Sequence, residues 1–176
     1  MTSTLTDLTY NEFEFICYNM RACDREEIMA LQEHDNMLRF AYEAHSVIRN
    51  GGRAKIGWHK GKPCAVAYFR ELRKGIWEVG MFGTDDFKAA IKPLLRWIRT
   101  EAADILTVCE GRRMQCDSLV THTEAHAMIR AMGGIPEGPP MRRFGRGDLD
   151  YQRFVWLGGE NDKVLQPHYV RQKEAA

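Results

Sequence analysis

The segment from Gly111 to Gly138 constrains the fold of this chain more than any other. Arg113-Met114-Gln115-Cys116-Asp117-Ser118-Leu119-Val120 reads as a strand, Thr123–Met132 as a short helix, and Gly133-Gly134 as its stop. Ile135-Pro136-Glu137-Gly138 then turns the chain into a further strand. A strand, a glycine-closed helix and a returning strand in so short a span require a sheet with a helix packed against it.

The preceding residues extend that sheet. Phe13, Phe15 and Cys17 alternate with Glu12 and Glu14, which predicts a half-buried strand over Tyr10–Met20. Asp24 is placed to cap a helix with Glu26 and Glu27 in its first turn and Ile28, Met29 and Leu31 as its apolar stripe. Leu38, Ala41, Tyr42, His45 and Val47-Ile48 support a second helix, stopped by Asn50-Gly51-Gly52. Ala54–His59 and Cys64–Phe69 flank the turn Lys60-Gly61-Lys62-Pro63, and Gly75–Phe82 completes a three-stranded meander. A long helical pattern follows from Asp86 to about Ala103, with Pro93 inside it as a kink or a late first turn. The chain closes with a hairpin ending in Tyr151–Leu157. The predicted order is β, α, α, β, β, β, α, β, α, β, β, a single domain over residues 1–157 with a polar tail from 158 to 176.

Composition narrows the partners. The 176 residues suit one domain with a substantial core, and 44% hydrophobic with 28% charged residues is ordinary for a globular protein. A net charge of +1 gives no reason to expect nucleic acid or an anionic membrane, and no apolar run approaches the roughly 18 residues of a spanning helix. The start, Met1-Thr-Ser-Thr-Leu-Thr-Asp-Leu, lacks the basic and apolar blocks of a signal peptide, so a cytoplasmic location is expected. Cys17, Cys23, Cys64, Cys109 and Cys116 form no Cys-x-x-Cys pair and read as reduced, buried thiols.

From Tyr10 to Leu157 this order resembles the GNAT N-acetyltransferase superfamily. The resemblance implies one α/β domain whose mixed, mostly antiparallel sheet of six to seven strands carries helices on both faces. It implies transfer of an acetyl group from acetyl-coenzyme A to an amine, with a loop of pattern Arg/Gln-x-x-Gly-x-Gly/Ala after the fourth strand around the coenzyme pyrophosphate. The matching segment here is Met81–Lys88, in which only Gly83 fits the pattern and Asp85 and Asp86 oppose a phosphate. Phe82, Gly83, Thr84, Lys88 and Arg112 are the cofactor-binding candidates. Where family members carry a helical tyrosine that protonates the thiolate, this chain has Ile129, and Gly134 replaces the following Phe. An acid must then come from elsewhere, with His122 or His126 nearest and His122 taken as the candidate, and Glu78 is the candidate base. Cys116 and Ser118 read as core and pleat residues.

These departures support an alternative of another class. The chain also resembles degenerate GNAT-like proteins of tailed bacteriophages, implying a virion-associated or host-interaction module. A homo-oligomer or a phage or host protein is the partner expectation, and the amine acceptor is open.

Other patterns carry less. His122 and His126 lie four apart, but His-Thr-Glu-Ala-His is not the zinc pattern His-Glu-x-x-His, and no metal is expected. Arg142–Asp148 reads as a solvated hairpin tip, and Trp58 and Trp77 as cross-strand packing partners.

Overall fold

The computed structural model describes residues 4–107 and 111–158. The elements are β1 (Thr4–Asp7), α1 (Tyr10–Tyr18), α2 (Ala22–Met29), α3 (Met37–Gly51), β2 (Gly52–His59), β3 (Lys62–Arg73), β4 (Ile76–Gly83), α4 (Phe87–Thr107), β5 (Arg113–Leu119), α5 (Thr123–Ala131), β6 (Ile135–Pro136), β7 (Met141–Gly145) and β8 (Leu149–Leu157). All eight strands join one sheet in the order β1-β2-β3-β4-β5-β8-β6, with β7 also on β8. Only the β4–β5 pair is parallel.

Two cores sandwich the sheet. Phe13, Ile16, Phe40 and Ile48 of α1 and α3 pack with Ile56, Val66 and Phe82 on one face. Phe87, Leu94 and Ile98 of α4 and Ile129 of α5 pack with Ala67, Phe69, Met114 and Phe154 on the other. Strand side chains alternate between these faces, so Glu78, Gly80 and Phe82 look toward α1–α3 while Trp77, Val79 and Met81 look toward α4 and α5.

Several sequence expectations are corrected. Tyr10–Tyr18 is a helix, not a strand: Phe13, Ile16 and Cys17 are the buried positions, a three-and-four spacing, and Phe15 is left exposed. The alternation of Phe13, Phe15 and Cys17 mimicked period two because an exposed aromatic stood in it. The first strand is instead the short edge β1, and with the two-residue β6 it raises the sheet to eight strands. Asp24 lies inside α2 and caps nothing; its side chain is buried. Trp58 and Trp77 belong to opposite cores and do not pack on each other. Cys23 is exposed, while Cys17 and Cys64 are buried; Cys109 and the tail beyond Gly158 lie outside the described residues.

Local chemistry explains the elements that frame the site. Lys60 and Gly61 both adopt positive φ, the twist-matched turn of a tight hairpin between β2 and β3. Helix α5 ends in a Schellman motif, with Gly133 at φ 84°, its N–H on the Arg130 carbonyl, and the Gly134 N–H on the Ile129 carbonyl. Helix α4 continues through Pro93 to Thr107.

Candidate active site

Strands β4 and β5 pair over three residues, Ile76↔Arg113, Trp77↔Met114 and Glu78↔Gln115, and then separate. Beyond that point β4 stays on β3 and β5 stays on β8, so a wedge opens in the middle of the sheet. The wedge holds a cavity of about 530 Å³ reached by Ile28, Phe40 and Val47 from one face and Phe87, Met128 and Ile129 from the other.

The β4 edge inside the wedge carries free backbone. Gly83 donates its N–H to Asp24 Oδ2 and accepts from the Arg21 N–H, both at 2.9 Å, whereas the Thr84 N–H returns to the Cys64 carbonyl of β3. Both polar groups of Gly83 therefore point away from β3. In an antiparallel ladder that direction repeats every second residue, so the Met81 amide also faces the gap that β5 has left. A fixed N–H at such an edge can hold a developing oxyanion. The β3–β4 register is unbroken from Gly83 to Trp77, so the wedge forms without a bulge at this edge.

On the α1–α3 side, Glu78 accepts from Arg70 Nη2 at 2.8 Å and from the Tyr68 hydroxyl at 3.3 Å. Gly80 makes this possible: a Cβ there would meet Tyr68 Cζ at 2.3 Å, so only glycine lets the ring lie against β4. Burial, then the Glu78 charge, pushes the Tyr68 phenol up, keeping it a neutral donor.

A second cluster sits at the mouth of β5. Glu27 Oε2 accepts from Ser118 Oγ at 2.9 Å, the Leu119 N–H at 3.0 Å and His122 Nδ1 at 2.9 Å. The hydrogen bond to Glu27 raises the His122 pKa above its ordinary value, against the opposing effect of burial. Nearby, Arg21 grips both oxygens of Asp24 at 2.7 and 2.8 Å and lies over the Phe87 ring, 4.0 Å from its centroid. Cys23, Asp24 and His122 offer ligand atoms within 4.8 Å of one another. Arg21 already takes both Asp24 oxygens and Glu27 takes His122 Nδ1, so this cluster is not read as a metal centre.

The structure brings Glu78 and His122 to the cavity and distributes the other candidates differently. The Phe82 side chain is buried against Phe13 and Phe40 in the α1–α3 core, and Phe82 also lines the cavity. The turn after β4 spends its amides internally: Gly83 on Asp24, Thr84 on Cys64, Asp86 on Thr84 Oγ1, Phe87 on the Thr84 carbonyl and Ala89 on the Asp86 carbonyl. Lys88 is exposed and 3.6 Å from Glu124, bridging the first turns of α4 and α5 at the cavity mouth. Arg112 sits at the other end of the strands, bonded through its N–H to the Gly75 carbonyl and through Nη2 to the Lys74 carbonyl. It is remote from the wedge because β4 and β5 are parallel and open only toward their C-terminal ends. His126 is buried edge-on to Phe154, its pKa lowered chiefly by that burial.

Cys116 and Ser118 line the cavity rather than simply filling the core. Glu27, Tyr68 and Arg70 also belong to the site. The alternation of β3 put Tyr68 and Arg70 on one face, but their pairing with Glu78 depends on the β3–β4 register. Glu27 read as a dipole-complementing residue because its partners lie more than 90 residues away.

Solved structures match this architecture. One is a phosphinothricin acetyltransferase from Sinorhizobium meliloti in complex with acetyl-coenzyme A, at TM-score 0.64 and 20% identity, covering 91% of this chain and 90% of that one. A second is a ribosomal alpha-N-protein acetyltransferase with coenzyme A, at TM-score 0.67 and 12% identity, covering 89% and 94%. A third is a spermidine N-acetyltransferase from Vibrio cholerae with coenzyme A and spermine, at TM-score 0.62 and 18% identity, covering 90% and 97%. The fold is the GNAT acetyltransferase fold. No family model matches the chain, and no curated protein matches it in sequence.

Within the GNAT frame the coenzyme fits one end of the site better than the other. The wedge and the Met81 amide suit the thioester arm. The turn from Gly83 to Phe87, where the family pattern wraps a pyrophosphate, has four of its five amides bonded within the chain and carries Asp85 and Asp86.

Proposed function

We propose that the protein is an N-acetyltransferase that uses acetyl-coenzyme A as donor and an amine as acceptor. The observation that carries this reading is the β4–β5 wedge with the Met81 amide turned into it. When bound, acetyl-coenzyme A supplies an activated acetyl thioester. Met81 N–H holds the carbonyl oxygen as negative charge develops on it. Glu78 has two hydrogen bonds on a carboxylate that accepts about four, so it retains capacity to take a proton from an acceptor ammonium. His122 holds a proton through its contact with Glu27, and no hydrogen bond reaches its Nε2 among the described residues; it donates that proton to the leaving sulfur. The acceptor ammonium would give one proton to Glu78; as its nitrogen forms the amide C–N bond and the C–S bond breaks, its second proton would pass to His122, replacing the one His122 gives to the departing thiol. Ile129 has no proton to give, so His122 carries the role that a tyrosine holds in the family pattern.

A second reading is favoured by the spent amides of the Gly83–Phe87 turn: a GNAT-like protein of the phage type that keeps the scaffold without catalysis and serves as a virion-associated or host-interaction module. Coenzyme release from acetyl-coenzyme A over a panel of amines separates the two. Turnover abolished by His122→Phe and by Glu78→Gln supports the enzyme; a silent protein with no affinity for acetyl-coenzyme A supports the module.

A further inference from the structure

The α1–α3 side of the cavity is where an acceptor would lie, and its polar groups are uneven. Arg70 uses Nη2 on Glu78, yet its Nε is shielded from solvent and has no hydrogen-bond partner. A buried guanidinium N–H without an acceptor is costly, and a guanidinium is shaped to hold a carboxylate with two parallel bonds. The other cations around the wedge are committed: Arg21 to Asp24 and Arg153 to Asp117, each through two hydrogen bonds. Arg70 is thus the cation lining the cavity with guanidinium N–H groups to spare.

Beside it stands Glu78, with lone pairs left over for an ammonium. The two are direct cross-strand partners, Arg70 on β3 and Glu78 on β4, so a carboxylate and an ammonium could be gripped within one strand spacing. Ile28 of α2, Leu31 just after it, and Ala44 and Val47 of α3 give the cavity an apolar stretch of wall, beside Glu43, whose carboxylate accepts from Arg39.

We propose that the acceptor is an α-amino acid with an apolar side chain, its carboxylate held by Arg70, its amino group by Glu78, and its side chain against Ile28, Leu31 and Val47. This rests on the acetyltransferase reading above. A polyamine would leave Arg70 Nε unsatisfied, which counts against it.

The test compares matched pairs that differ only in the carboxylate: L-leucine with isoamylamine, L-methionine with 3-(methylthio)propylamine, and L-phenylalanine with phenethylamine. Coenzyme release is followed with the full chain, and kcat/KM for the amino acid is expected to exceed that for its amine about ten- to a hundredfold, the worth of a charge-assisted hydrogen bond. In Arg70→Lys, which keeps the positive charge beside Glu78 but loses the fork, that ratio falls toward one. Equal rates for each pair in the wild type, or a ratio that survives Arg70→Lys, overturns the proposal while leaving the acetyltransferase reading intact. Calorimetry of the same compounds without coenzyme decides the matter independently of turnover. Binding of at least one amino acid, absent for its amine and lost in Arg70→Lys, supports the proposal even if no acetylation occurs. Absence of amino-acid binding and turnover alike overturns it.

Discussion

The two ends of strand β4 contrast sharply. At Val79–Met81 the strand edge is open: β5 has left after Glu78, the Met81 amide faces a cavity, and Glu78 has lone pairs to spare. At Gly83–Phe87, a few residues on, amide after amide is consumed within the chain, and the Asp24 carboxylate occupies the Gly83 N–H where an anionic ligand would compete for it. The open edge follows from the limited β4–β5 pairing. The anion grip depends on a glycine-rich turn with unspent amides, and here a short turn capped by Thr84 stands in its place. The lesson is that an open strand edge and an anion-gripping turn have separate structural origins, and a chain can have one without the other.

Asp24 offers the strongest way to break this contrast. Its side chain is only 4% exposed, and Asp24→Ala strands Arg21 and the Gly83 N–H together. A loss of about 3 kcal/mol is expected, read as a lower urea midpoint. Asp24→Asn keeps the shape and removes the charge; if Asp24 closes the diphosphate end, this variant binds acetyl-coenzyme A more tightly than the wild type by calorimetry.

Gly80→Val strikes the open end. Its Cβ meets the Tyr68 ring at 2.3–2.5 Å, so the ring must move off β4 and the Glu78 cluster with it. Overpacking of this kind costs about 1–3 kcal/mol, and acetylation falls more than acetyl-coenzyme A binding does.

Glu27→Gln sharpens the assignment of His122. His122 has a raised folded pKa, so the pair contributes stability fully below the unfolded value near about 6.5, and loses it as pH rises through the folded value. The stability difference between wild type and Glu27→Gln, about 1–2 kcal/mol at acid pH, should shrink across that window. With His122 in the proposed role of acid, the wild-type rate is expected to fall as pH rises through the same value, and the variant's fall to come at lower pH. His126 runs the other way: its pKa is lowered, so its neutral burial favours folding above the unfolded value and loses that advantage as pH falls.

The smallest effect is expected at Arg112. It lies at the closed end of the wedge, so Arg112→Ala should leave acetyl-coenzyme A affinity unchanged and alter stability by no more than about 0.5 kcal/mol.

The meander, the long α4, β5, the glycine-stopped α5 and the closing hairpin were legible because period, turn residues and stop signals agreed there. Tyr10–Tyr18 was not, since Phe15 gave one apolar face to two periods at once. Within the site, Glu78 and His122 stood out as chemistry-bearing residues next to a recognisable loop and helix. Arg70, Tyr68 and Glu27 did not, because their roles arise from cross-strand register and from contacts spanning up to 95 residues. Arg112 was drawn to the site by its sequence proximity to β5, although parallel strands put that end away from the opening.

The most direct test of the account sets acetyl-coenzyme A against S-acetylpantetheine, which keeps the thioester arm and lacks the diphosphate, in calorimetry with the wild-type chain. The account predicts that both bind, with dissociation constants within about tenfold, or 1.4 kcal/mol, because the chain grips the arm and not the diphosphate. Acetyl-coenzyme A binding several orders of magnitude more tightly than S-acetylpantetheine, or neither binding at all, would contradict it.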